Sequence, residues 1–149
     1  MNKVILILDG YSVAKNEFDK YVKRLGYWTW NVNHRNLLGE IVGMLRGSKE
    51  RDQLYYDTME AVKELAEGMF NFEESYTNEK IENFKGHEKA NLLLIHNCSE
   101  QLSERLKSDH GVITVYLGKE TCPDGYDYEI LFDDTFEENV KNLLDVLSK

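Results

Sequence analysis

Apolar residues fall along this chain in two patterns, short unbroken runs and longer stretches in which they recur every three or four positions. Val4 to Leu8 is an unbroken run, β-branched at Val4, Ile5 and Ile7. A run of that length suits a strand buried on both faces, as in a parallel sheet. Asp9-Gly10 breaks it, and Ala14, Phe18, Tyr21, Val22 and Leu25 then trace one stripe of a helix that Gly26 would stop. Tyr27-Trp28-Thr29-Trp30 is strand-prone. Leu37, Leu38, Ile41, Val42 and Leu45 repeat the helical stripe up to Gly47. Ser48 caps a predicted third helix carrying Tyr55, Met59, Val62, Leu65, Ala66 and Met69.

The segment from Asn71 to Lys89 is polar and reads equally as helix or loop. Leu92-Leu93-Leu94-Ile95 is a second buried run, Ser99 opens a short helix through Leu102 and Leu106, and Val112 to Leu117 is the clearest strand. Alternation at Tyr128, Ile130 and Phe132 predicts a further strand near a sheet edge. Thr135 and Glu138 have capping-box spacing ahead of a last amphipathic helix with Phe136, Val140, Leu143, Leu144 and Leu147. Strands alternating with helices predict an α/β fold, a three-layer parallel sheet of four to five strands flanked by helices. No linker interrupts the pattern, so residues 1–149 read as one domain.

Charge narrows the partners. A formal net charge of −9 repels nucleic-acid backbones and anionic membranes, which argues against both. It leaves room for a small phosphate ligand in a cleft, or for a protein partner. The first apolar run is too short for a signal-peptide core, and no stretch approaches a membrane span, so the expected location is the cytoplasm. Cys98 and Cys122 share no metal spacing with His34, His87, His96 and His110, so no metal site is expected and free thiols are the simpler reading.

In a parallel α/β sheet ligands bind at the carboxyl ends of the strands, which directs attention to residues 9–16, 96–99 and 118–124. The segment Asp9-Gly10-Tyr11-Ser12-Val13-Ala14-Lys15-Asn16 stands where G-x-x-x-x-G-K-[ST] would stand. Asp9 replaces the first glycine and Ala14 the second, Lys15 is kept, and Asn16 replaces the hydroxyl residue. Downstream, Asn91 to Cys98 is a strand with a polar tip, Ser103-Glu104 lies on the next helix, Gly111 to Val115 leads the next strand, and Tyr126 to Thr135 precedes the final helix.

In that order and spacing the chain resembles the phage-type deoxynucleoside monophosphate kinases of the P-loop kinase superfamily. The resemblance implies a nucleotide or phosphate ligand, with ATP and Mg²⁺ as the companions of an active enzyme. Lys15 would be the catalytic phosphate contact, and Gly10, Ser12, Val13, Ala14, Lys15 and Asn16 would supply the cofactor-binding loop. Arg35, Arg46 and Arg51 would meet the second substrate, because guanidinium matches phosphate with paired hydrogen bonds. Kinases of this family are often dimeric, which leaves a homodimer open.

The departures point the other way. The family's Asp and Arg at the tip of the middle strand are His96 and Cys98 here, and with Asn16 they remove the usual protein grip on Mg²⁺. Phosphoryl transfer depends on such positioning and charge neutralisation. Two functions therefore stand side by side: a divergent kinase-like protein that binds a nucleotide or phosphate, and a non-catalytic phage or mobile-element interaction protein, a pseudoenzyme, on the same scaffold. Of the remaining candidates, Asp9 reads as a cap of the first helix before a cation ligand, His96 and Cys98 as a satisfied buried polar pair before a nucleophilic pair, Tyr27, Trp28 and Trp30 as core or an oligomer contact before a base-stacking surface, and Glu73 to Glu82 as a solvated face.

Overall fold

The computed structural model describes residues 3–34 and 70–148. The helices expected between Leu37 and Met69, and Arg35, Arg46 and Arg51, lie outside the described residues. The elements in chain order are β1 (Val4–Gly10), α1 (Ser12–Arg24), β2 (Thr29–Asn33), the helical residues 70–86 (α2), β3 (Leu92–His96), α3 (Glu100–His110), β4 (Ile113–Gly118), β5 (Tyr128–Leu131) and α4 (Phe136–Leu147). The five strands form one sheet in the order β2-β3-β1-β4-β5, with every neighbouring pair parallel. The expected α/β parallel sheet is therefore present, at the upper strand count.

The unbroken apolar runs are explained by a core on each face. Leu6 and Leu8 of β1 and Leu92 and Leu94 of β3 point to one side, where they pack with Ala14, Phe18 and Val22 of α1 and Phe136, Val140, Leu143 and Leu144 of α4. Ile7, Leu93 and Ile95 point to the other, against Ile81 and Phe84 of α2 and Leu102 and Leu106 of α3. Because side chains alternate across a strand, a central strand covered on both faces must be apolar at every position. Each such leucine or isoleucine contributes about 1.5–3 kcal/mol by leaving water. β5 is one outer strand of the described sheet: Ile130 is buried while Tyr128, Glu129 and Leu131 are exposed.

The polar stretch 71–89 resolves as helix up to residue 86, held by Thr77, Ile81 and Phe84, all fully buried one turn apart. α3 starts as predicted, with the Ser99 hydroxyl accepting from the Leu102 N–H at 3.2 Å. The capping box expected at Thr135 does not form. Thr135 occupies the N-cap position without a side-chain capping bond, and its N–H and hydroxyl are both taken by the Asp133 carboxylate. The hydroxyl gives its hydrogen to that carboxylate, and its oxygen accepts from the Asn139 side-chain amide at 3.1 Å instead of from a backbone N–H of the helix. No described helix is long and apolar enough to cross a membrane.

Candidate functional site

With all strands parallel, Gly10, Asn33, His96 and Gly118 lie at one edge of the sheet. The turn leaving β1 there is much shorter than the motif spacing predicts. β1 runs to Gly10 and α1 starts at Ser12, so Tyr11 alone connects them. Gly10 sits at φ +106°, and a Cβ there would lie inside van der Waals contact of the Leu117 carbonyl oxygen of β4. The next N–H, of Tyr11, donates to that same oxygen at 2.8 Å. β1 is thus welded to β4 up to the point where the helix starts.

This corrects the expected phosphate-wrapping loop. Ser12, Val13, Ala14, Lys15 and Asn16 form the first turns of α1, and Lys15 N–H already donates to the Tyr11 carbonyl at 3.1 Å. The physical reason lies in the replaced glycines. Ala14, at the second glycine position, is a fully buried helical residue of the core. A wide loop needs several residues outside regular structure, and only Tyr11 is available.

Asp9 is the second correction. It does not cap α1: the N-cap residue is Tyr11, with no side-chain capping bond, and the first turn holds no acidic residue. One Asp9 oxygen accepts from the Gly10 N–H at 2.8 Å, and the other accepts from the Tyr126 hydroxyl at 2.5 Å. The Tyr126 phenol is held well above its ordinary range, first by burial and then by this bond to a carboxylate. Tyr126 was not a sequence-level candidate. It lies 117 positions from Asp9, and no local pattern links them.

Lys15, half-buried, reaches across to the tip of β3, where its ammonium donates to the Asn97 side-chain oxygen at 3.2 Å. Asn97 takes the left-handed conformation, φ +57°, which asparagine tolerates better than most residues. His96 is buried and satisfied, its Nε2 lying 2.8 Å from the Asn31 side-chain oxygen. Asn31 donates onward to Asp19, which also pairs with Lys23. Burial, and then the nearby Lys15 ammonium, push the His96 imidazole below its ordinary value, with Asp19 opposing.

His96 is therefore the buried polar group the sequence suggests, but its partner is Asn31 rather than Cys98. The half-buried Cys98 thiol shares a side-chain hydrogen bond with Ser103, and burial pushes it up, so it rests as a thiol rather than a nucleophilic thiolate. His34 follows the end of β2, buried, with Thr77 at 3.1 Å and Glu73 at 4.0 Å.

A polar cavity of about 480 Å³ opens beside the β1–α1 connection, lined by Gly10, Tyr11, Tyr116, Lys119, Glu120 and Thr121. The Lys119 ammonium lies 5.6 Å from the centre of the Tyr11 ring. Among the described residues no group of three or more His, Cys, Asp or Glu is arranged to hold a metal. At the positions where the resemblance would seat Mg²⁺ stand the Asn16 amide and the tied His96 imidazole. These do not fit an ion that takes oxygen ligands in near-ideal octahedral geometry, and the nearby Asp9 carboxylate is already shared between Gly10 and Tyr126.

Comparison with known proteins gives fold-level likeness only. No protein-family model matches the chain. No curated protein matches it either. Among solved structures, the APS kinase of Mycobacterium tuberculosis aligns over 99% of both chains at 10% identity with a TM-score of 0.43. A de novo designed protein with a P-loop NTPase fold aligns over 99% of this chain and 91% of its own, at 19% identity and a TM-score of 0.41. At that level of similarity neither fixes an activity or a ligand, and the architecture rests on the strand order and burial described above.

Proposed function

We propose that this chain binds a phosphate-bearing small ligand, a nucleotide in the reading the sequence resemblance favours, at the carboxyl ends of β1, β3 and β4, on a kinase-like scaffold without phosphoryl transfer. The observation that carries the reading is the placement of Lys15. A lysine in the first turn of a helix sits against the positive end of the helix dipole, where an anion is favoured and a cation is not. Among the described residues no carboxylate lies within ion-pair reach of it, and its hydrogen-bond partner is the neutral Asn97. An anion lying between the α1 N-terminus and Lys15 would satisfy both. Lys119, at the mouth of the adjoining cavity, adds a second cation.

Absence of catalysis follows in this reading from the one-residue connection and from the donor set at Asn16 and His96. Arg35, Arg46 and Arg51 keep their proposed role as contacts for a second substrate. Isothermal calorimetry with nucleoside mono-, di- and triphosphates, with and without Mg²⁺, tests the reading. At least one should bind, Lys15→Ala should weaken it about tenfold or more, as expected for loss of a charge-assisted contact, and no phosphate should transfer from ATP to a nucleoside monophosphate. Turnover of ATP would overturn the non-catalytic part.

A second reading, a protein-docking scaffold, is favoured by a groove of about 360 Å³ between outer strand β5 and α4, lined in part by Tyr128, Ile130, Leu143 and Val146. Tyr128 and Val146 are exposed there, and protein partners favour such half-apolar edges.

A further inference from the structure

The β4–β5 connection, residues 119–127, is a crossover without a helix, and nearly all of it is exposed. Its two ends are fixed. At the start, Gly118 is closely packed by Thr121 and Cys122. At the finish, Asp127 accepts from the Thr114 N–H at 2.9 Å and pairs with Lys107 at 3.1 Å, so it is tied to β4 and α3. Between these anchors, Tyr126 reaches over β4 to the end of β1. Its ring lies 5.0 Å from that of Tyr116, the residue in register with Asp9, and its hydroxyl ends on the Asp9 carboxylate. The first residues of the crossover, Lys119, Glu120 and Thr121, wall the cavity whose floor is Gly10 and Tyr11.

We propose that the Tyr126–Asp9 hydrogen bond is a latch: made, it holds the 119–126 crossover closed against the ends of β1 and β4; broken, it frees the crossover to move off and opens the cavity. The phenol and carboxylate come from segments that no other described side-chain hydrogen bond joins, and the ring contacts of Tyr126 with Tyr116 and of Lys119 with Tyr11 add to its hold. The carboxylate keeps a partner in the open state, the Gly10 N–H, so opening leaves no charge without a donor.

Cys122 lies within the crossover and reports its position, because its sulfur packs on Gly118 when the segment is closed. In a Cys98→Ser background, the rate of Cys122 labelling by a water-soluble maleimide is measured for wild type, Tyr126→Phe, Asp9→Ala and the double variant. Either single change should raise the rate about tenfold by populating the locally open state, and the double variant should label no faster than the singles, since both remove the same bond. Thermal unfolding of each variant separates local opening from global loss of fold. Rates unchanged in both single variants, or effects that multiply in the double, would overturn the latch. This readout uses no ligand, so it stands or falls apart from the proposed phosphate site.

Discussion

At Gly10 the β1 backbone turns into the helix while pressed against the Leu117 carbonyl, in a conformation L side chains rarely adopt. Gly10→Ala should therefore destabilise the protein by about 2 kcal/mol or more, combining backbone strain with a steric clash. Urea denaturation checks this, and an unchanged midpoint would mean that the tight β1–β4 contact is not formed in solution. His34 and His96 give a second residue-scale prediction. Both imidazoles are held below the ordinary value of 6.5, His34 by burial against an opposing Glu73 and His96 by burial and Lys15 against an opposing Asp19. The unfolded chain then takes up protons first as pH falls, so the contribution to stability is complete above about pH 6.5 and is lost below it. The urea midpoint should drop between pH 7 and pH 5, and His34→Asn and His96→Asn should each flatten that drop. Equal slopes in wild type and variants would assign the pH dependence to other groups. Lys15 was legible as the lysine kept at its motif position, whereas the partners of Asp9 and His96 were not. Tyr126 and Asn31 reach them through pairings that only the folded sheet creates.

At the scale of elements, α3 carries the clearest local signals. Ser99 caps its start and Gly111, at φ +63°, ends it. Ser99→Ala should cost about 1 kcal/mol in urea denaturation, the usual value of a lost N-cap bond, and a loss under a few tenths would show that the cap bond is not made. β1, β3, β4 and the helices α1, α3 and α4 were all legible, because burial on two faces or along one stripe leaves its period in the sequence. The connection between β1 and α1 was not. The motif spacing of Asp9 to Asn16 suggested a loop although Ala14 already lay on the helical stripe, and Ser12-Val13-Ala14-Lys15 joins the helix with Ala14 in the core beside Phe18. α2 was ambiguous because Thr77, Ile81 and Phe84 are a sparse stripe on an otherwise charged segment.

For the whole molecule, the parallel order β2-β3-β1-β4-β5 gathers Asp9, Lys15, His96, Asn97 and Lys119 at one edge of the sheet, although they are spread over more than a hundred positions of the chain. Alternating strands and helices predicted a parallel sheet and therefore this edge as the place to look. Strand order itself leaves no trace in local hydrophobic pattern, and neither does the fastening of the β4–β5 crossover. The central claim, that this edge takes a phosphate-bearing ligand through Lys15, is tested most directly by thermal unfolding of wild type and Lys15→Ala with a panel of nucleoside mono-, di- and triphosphates and inorganic phosphate, with and without Mg²⁺. Ligand bound only by the folded state stabilises it by about 2.7 kcal/mol at a hundred times its Kd. The account predicts a rise of several degrees in wild type with at least one of these ligands and little or none in Lys15→Ala. No rise with any of them, or an equal rise in both proteins, would contradict it.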